Sequence, residues 1–170
     1  MTFLTVSLDQ RGDEMKTKVC LLVFVLVVSV ASCATTQKFT VEDDIREATF
    51  RYQFSPWLRQ AQAKELETVV FFLSVGENKE DPGKEFMERF TNNKPAIKAR
   101  SHATGGLQGV KDRDTGRPGV IFYVSKIKWL KETEVEVEGS CFVSGVSLSR
   151  STYYLTKKKD KWVVTKEAAH

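Results

Sequence analysis

Histidine, cysteine and proline are scarce in this chain of 170 residues, which has two histidines, three cysteines and four prolines. No histidines or cysteines have the spacing of a zinc site, and no glycine-rich phosphate-binding loop occurs. The Gly-x-Ser-x-Gly motif of serine hydrolases is also missing. The sequence therefore predicts no metal and no cofactor.

The chain also has no large excess of charge of one sign. The net charge is +4, and lysines alternate with glutamates through most of the chain. A nucleic-acid-binding protein usually concentrates basic residues on one face. The one basic run, Lys157 to Lys159, lies between two strand-like segments and is explained by a hairpin turn. We therefore expect no nucleic-acid partner.

An apolar run of 13 residues extends from Val19 to Ala31, directly after Lys16 and Lys18. A membrane-spanning helix needs about 20 such residues, so this run is too short for a permanent anchor and is typical of a secretory signal. Two acidic residues precede the basic pair, which is unfavourable in such a signal. We therefore expect the true start at Met15, with residues 1–14 upstream of it.

The apolar run ends in Val30-Ala31-Ser32-Cys33. This segment resembles the lipobox of bacterial lipoproteins, an aliphatic residue and two small residues before a cysteine. The resemblance implies that residues 1–33 hold the signal and that lipid on Cys33 anchors the exported protein to a membrane. Ala34 stands where an aspartate would favour inner-membrane retention in that family, so the outer membrane is favoured. The alternative is a plain signal peptide with Cys33 an incidental thiol.

The sequence after Cys33 predicts a tether at residues 34–39 and a single domain over residues 40–170. Cys20 leaves with the signal, so Cys141 is the only cysteine of this domain and no disulfide can form within it. A lone thiol in an exported domain is more often buried and inert than catalytic. We interpret Cys141 in that way.

The first half of the domain has the patterns of two helices and two strands. In chain order they are a helix from Thr40 that ends at Ser55-Pro56, a strand at Thr68–Val75, a helix beginning at Asp81-Pro82, a strand at Ala96–Ala103 and a loose glycine-rich loop at Thr104–Gly119.

The second half alternates apolar and polar residues with a period of two. Its strands are predicted at Val120–Leu130, Thr133–Val146, Ser151–Thr156 and Lys161–Lys166. Consecutive strands joined by short turns form an antiparallel meander. The predicted fold class is therefore α+β, a curved antiparallel meander sheet packed by the N-terminal helices.

This element order and the terminal hairpin of Tyr153-Tyr-Leu-Thr and Lys161-Trp-Val-Val-Thr resemble the nuclear transport factor two-like superfamily. The resemblance covers residues 40–168 and implies a cone-like fold, in which a bent sheet and helices enclose a pocket. The alternative fold is a cystatin-like sheet wrapped on one helix.

The superfamily's enzymes place an Asp or His inside the pocket, and His102 is the candidate that this resemblance implies. No carboxylate partner for His102 is evident in the sequence, so we interpret it as structural or solvent-exposed. His170 is expected to be frayed at the chain end. Asp112-x-Asp114-x-Gly116 has the spacing that begins a calcium loop but lacks the later ligands. A turn explains it better, and no metal site is predicted.

Aromatic residues are frequent in the meander: Trp129, Phe142, Tyr153, Tyr154 and Trp162. They either form the core or line a concave face that holds an apolar ligand. The candidates for such a ligand site are Trp129, Phe142 and Tyr154. Trp162 is interpreted as a core residue that shares one face of the last strand with Val164.

Three functions remain open. The first is a non-catalytic binding domain of a membrane-anchored envelope lipoprotein, with an apolar small molecule or another envelope protein as its partner. The alternative is a small cone-fold isomerase, dehydratase or hydrolase that uses His102 and a carboxylate. The third is a structural role in which the sheet pairs with a second copy as a homodimer. The missing catalytic motifs favour the first.

Overall fold

Residues 41–60, 67–145 and 147–170 are described by the computed structural model of the chain. The signal with Met15, the lipobox at Cys33, the tether at 34–39 and Thr40 lie outside these residues. Within the described ranges, no helix has both the length and the apolar character needed to cross a membrane.

Ten regular elements succeed one another in the described residues. They are α1 (41–60), β1 (Val70–Val75), α2 (Lys84–Glu88), β2 (Ala96–Ala99), β3 (Ala103–Gly106), β4 (Gly109–Asp112), β5 (Pro118–Lys131), β6 (Glu134–Ser144), β7 (Ser147–Lys158) and β8 (Lys161–Ala169). A single 3-10 turn at Arg100–His102 separates β2 from β3. The fold class is α+β, as predicted.

The strands form one mixed, open and curved sheet in the order β2-β1-β5-β6-β7-β8, which is compatible with a cone-like fold. β5 to β8 are consecutive antiparallel neighbours, which confirms the predicted meander. β1 lies between β2 and β5 and runs parallel to both. The β3–β4 hairpin joins the sheet through β4, which pairs with the start of β5.

The lysine run forms a tight turn between β7 and β8, as predicted. Lys159 and Asp160 have φ values of 46° and 63°, and Lys158 pairs with Lys161. Two central residues with positive φ are characteristic of a type I′ turn, whose twist matches that of the flanking strands. The turn places Trp162 opposite Lys157 on the neighbouring strand.

The main core lies between α1 and one face of the sheet. Phe54 of α1 has its ring centroid 5.1 Å from that of Phe71 on β1 and 4.9 Å from that of Phe122 on β5. All three side chains are buried, and Phe50 stacks on Phe54 from the preceding turn of the helix. Alternation along β1 and β5 then directs Phe72 and Ile121 to the opposite face.

Gln53 of α1 approaches the sheet so closely that β6 needs a glycine at position 139. Its Nε2 donates hydrogen bonds to the backbone oxygen of Tyr123 at 3.3 Å and to Oη of Tyr153 at 3.4 Å. A Cβ on Gly139 would lie 2.7 Å from that nitrogen. Burial raises the pKa of Tyr153, so its hydroxyl stays protonated at neutral pH.

The prediction that α1 ends at Ser55-Pro56 is wrong, since residues 57–60 are also helical. Proline has no N–H to donate to the carbonyl four residues earlier, which is that of Tyr52. The Ser55 hydroxyl donates to this oxygen instead, at 2.8 Å. The serine thus satisfies the acceptor that the proline leaves open, and the helix continues.

Further boundaries in the first half of the domain also differ, and the predicted strand Ala96–Ala103 ends at Ala99, before the 3-10 turn. α2 begins at Lys84 with Gly83 as its N-cap, because the Asp81 carboxylate accepts the backbone N–H of Ser101 at 2.9 Å and does not cap the helix. The predicted loop at Thr104–Gly119 contains the β3–β4 hairpin. Val110 anchors this hairpin, as it is only 3% exposed.

Candidate functional site

An open cavity of about 1150 Å³ lies on the sheet face opposite α1. Ile121 and Tyr123 of β5 and Phe142 of β6 contribute to its floor. Ile121 and Tyr123 alternate along β5 with Phe122 and Val124, which are buried on the helix side, and Phe142 lies opposite Ile121. The cavity is therefore separate from the core beneath α1.

A second apolar cluster supports this floor. Its buried members are Val70, Phe72, Ala103, Val110 and Ile121, with Tyr123 and Phe142 packed against them. The β3–β4 hairpin bounds one side of the cavity, where a Cβ on Gly105 would lie 3.5 Å from Cε1 of Phe142. The lack of a side chain at Gly105 keeps the space above the Phe142 ring open.

The edge of the cavity carries two exposed leucines. Leu107 at the tip of the β3–β4 hairpin is 84% exposed, and Leu148 of β7 is 51% exposed. The hairpin tip reaches the β6–β7 connection, since a Cβ on Gly145 would lie 2.7 Å from Cδ2 of Leu107. Both leucines also line the cavity, so its edge is apolar at this point.

Three cationic side chains line the same cavity: Lys79, Arg100 and Arg150. Lys79 Nζ lies 5.6 Å from the ring centroid of Tyr123. Nε of Arg100 is buried and has no hydrogen-bond acceptor within the described residues. Two carboxylates, those of Glu77 and Glu138, also line the cavity, and Glu77 lies 3.9 Å from Lys126. In the described part of the chain, Arg100 and Arg150 form no ion pair.

His170 also lines this cavity, and the expectation that it is frayed is wrong. Its backbone N–H donates to the carbonyl of Arg150 at 3.0 Å. Its ring Nε2 lies 2.9 Å from Oγ1 of Thr152. These contacts extend the pairing of β8 with β7 to the last residue described.

His102 is exposed, as interpreted from the sequence, and it is not among the residues that line the cavity. It does have a carboxylate neighbour, since its Nδ1 lies 3.3 Å from Oδ2 of Asp114. Lys98 Nζ contacts the same carboxylate at 2.8 Å. A hydrogen bond from Lys98 lowers the pKa of Asp114. His102 therefore lies in a surface ion-pair network beside the β4–β5 turn.

Asp112 is the buried member of this network, with a side chain that is 1% exposed. It accepts hydrogen bonds from Thr115 Oγ1 at 2.6 Å and from Lys98 Nζ at 3.0 Å. Burial raises the pKa of Asp112, but these two hydrogen bonds, the charge of Lys98 and a hydrogen bond from the backbone of Asp114 together leave the pKa below its usual value. The backbone of Gly116 donates to the Asp112 carbonyl at 2.8 Å, so the segment is a turn, as interpreted from the sequence.

In residues 41–60, 67–145 and 147–170, no group of three or more His, Cys, Asp or Glu side chains is arranged to hold a metal ion. Asp112 and Asp114 face the ammonium group of Lys98 instead. The negative charge of these two carboxylates is therefore paired with a cation of the protein itself.

The aromatic candidates separate into two groups. Phe142 lines the cavity, whereas Trp129 and Tyr154 do not. Trp129 lies edge-to-face with Trp162, with their centroids 5.6 Å apart, and Tyr154 lies beneath Lys166 Nζ at 5.2 Å. Trp162 is buried at 7% exposure while Val163 is 41% exposed, which confirms the predicted alternation of the last strand.

Cys141 is half-buried on the helix side of β6, where its Sγ lies 3.1 Å from Oγ of Ser149. It does not line the cavity. The residues that sequence reasoning missed are Lys79, Arg100 and Arg150. They come from three distant segments, and no local pattern marks a cation that will share a cavity with others.

No family model, curated protein or solved structure matches this chain.

Proposed function

We propose that this chain is an exported, lipid-anchored binding domain of the cell envelope, which takes a ligand with an apolar surface on the concave sheet face opposite α1. The observation that supports this proposal is the cavity, whose lining has an apolar floor and about as many polar and charged residues as apolar ones. Ligand sites generally combine apolar side chains with polar groups that orient the ligand. Its volume of about 1150 Å³ is ample for a small molecule.

Binding is better supported than acid–base catalysis. The candidate for catalysis, His102, does not line the cavity, and its carboxylate partner Asp114 is in turn held by Lys98. A general base must lie within hydrogen-bond reach of the proton that it removes. The likeness to the nuclear transport factor two-like superfamily stays a prediction.

The first test is of the cavity. A Gly105→Trp variant of the full chain should bind the neutral apolar dye Nile red much more weakly than the wild type, because the added side chain begins 3.5 Å from the Phe142 ring. The readout is dye fluorescence on titration with protein. Gly83→Trp is the matched control, since Gly83 is exposed, lies outside the lining, and a Cβ there would lie 3.8 Å from Oε2 of Glu85. Equal dye binding by the wild type and Gly105→Trp would contradict the proposal.

The second test is of the anchor. Cells supplied with radiolabelled palmitate should label the wild-type chain and fail to label Cys33→Ser, because the thiol accepts the lipid in the family that the lipobox resembles. Cys141→Ser should label like the wild type, since Cys141 lies inside the folded domain. Label retained on Cys33→Ser would exclude lipidation at this cysteine.

A further inference from the structure

We infer that the cavity binds an amphipathic organic acid with a single apolar chain, whose acidic group is held by Arg100 and Arg150. This inference rests on the proposed binding function and names its ligand class. It depends on three observations about the cavity: the charge of its unpaired side chains, a buried donor without an acceptor, and the placement of exposed apolar residues.

The unpaired charge of the lining is positive. Neither Arg100 nor Arg150 pairs with a carboxylate in the described ranges, and Lys79 has only the ring of Tyr123 as a partner. Glu77 is adjacent to Lys126, which lies outside the lining. Among the acidic side chains of the lining, Glu138 opposes the three cations without a cation of its own in the described residues. An anion is the complementary ligand for this surface.

Arg100 carries the most specific indication. Its Nε is buried without an acceptor in the part of the chain that the structure describes. A buried donor that lacks an acceptor destabilises the protein, and more so when the group is charged. A guanidinium also presents its N–H groups in a planar fork that matches a carboxylate or phosphate. An acidic group that approaches this guanidinium from the cavity would offset its charge, which no carboxylate of the described residues pairs with.

The apolar side chains of the cavity favour a ligand whose acidic group is attached to an apolar chain. Phe142 and Ile121 lie on the floor, and Leu107 and Leu148 lie exposed at the edge. Large apolar side chains exposed together are commonly binding surfaces. A chain of methylene groups laid across them would remove this apolar surface from water, and each buried CH₂ would strengthen binding. A small inorganic anion would leave it in water.

The experiment compares three probes of equal chain length on the full chain: decanoate, decanol and decyltrimethylammonium, by isothermal titration calorimetry. Decanoate should bind at least about tenfold more tightly than the other two, since a hydrogen bond to a charged group is worth at least this factor. Arg100→Met and Arg150→Met should each weaken decanoate binding by about tenfold and leave decanol binding unchanged. Lys111→Met, an exposed lysine of β4 outside the lining, should bind all three like the wild type.

Three outcomes would overturn the inference. Equal affinity for the three probes, or decanoate binding that neither arginine variant weakens, would exclude an acid at this site. Pelleting with phosphatidylglycerol vesicles that the arginine variants reduce, without decanoate binding, would point to a membrane surface as the partner. If Gly105→Trp still blocks Nile red in these cases, the proposed binding function stands and only the ligand class fails. If Gly105→Trp binds Nile red like the wild type, the proposed binding function and the ligand class both fail.

Discussion

Replacing Trp162 by alanine should lower the free energy of unfolding by about 3–5 kcal/mol. Trp162 is 7% exposed, and its indole packs edge-to-face on Trp129 on the helix side of the sheet. Truncation removes this contact and leaves a cavity that the paired strands β7 and β8 cannot fill. The total free energy of unfolding of a small domain is only about 5–15 kcal/mol, so this loss is a large share of it.

The measurement is urea denaturation of the full chain followed by circular dichroism. Val163→Ala is the matched control, because Val163 is the next residue on the same strand, points to the other face and is 41% exposed. Val163→Ala should lower the free energy of unfolding by less than about 1 kcal/mol, because truncation of a partly exposed side chain usually has a small effect. A Trp162→Ala variant as stable as Val163→Ala would show that Trp162 does not support the core.

The second large effect is expected at Lys98. Lys98→Met should cost about 2–3 kcal/mol, below the 3–5 typical of a fully buried pair, because Lys98 itself remains partly in water. The Asp112 carboxylate is 1% exposed and the Lys98 side chain 28% exposed. The variant leaves Asp112 charged and buried, with only Thr115 and backbone groups as donors.

This cost should depend on pH in a definite direction. The pKa of Asp112 is lowered in the folded protein, so the folded state binds this proton less readily than the unfolded chain. Its contribution is therefore complete above the unfolded value of about 3.9 and is lost as the pH falls through the folded value. The stability difference between wild type and Lys98→Met should be largest near neutral pH and should narrow below about pH 4.

Lys111→Met is the matched control for this second prediction. Lys111 lies on β4 next to Asp112, is exposed, and pairs with no carboxylate in the described ranges. Its substitution should leave stability unchanged from neutral to acidic pH. A difference between wild type and Lys98→Met that does not change with pH would show that lost packing, and not the buried charge, causes the destabilisation.

The part of the fold that the sequence predicts is the part built from neighbours in the chain. β5 to β8 succeed one another with short turns, and their alternation is visible at Val135 and Val137, which are both buried. The continuous apolar run of β1 predicts a strand, and its burial on both faces explains that pattern. The sequence does not predict the parallel pairing of β1 with β2 and β5, because a non-local register has no local signal.

The candidate site is less predictable for a related reason. The aromatic content of the meander indicates Phe142, which does line the cavity. Arg100 cannot be recognised from the sequence, because its position depends on the 3-10 turn that redirects the chain from β2 into β3. The sequence predicts a loop in place of the β3–β4 hairpin, since Gly105, Gly106 and Gly109 have low strand propensity and pairing with β5 decides their conformation.

The pairing of β1 with β5 also determines when the domain can fold. Val70 lies opposite Gly119, and the ring of Phe54 needs Phe122 of the same strand. On the proposed export route the chain crosses the membrane from its N-terminus. α1 and β1 then emerge first, before β5, the strand that both contact. The hairpins of β5 to β8 close quickly by themselves, because their contacts are local. On that proposed route, we expect folding to proceed from the last segments delivered back to the first, so that the leading half of the chain stays unfolded while it crosses.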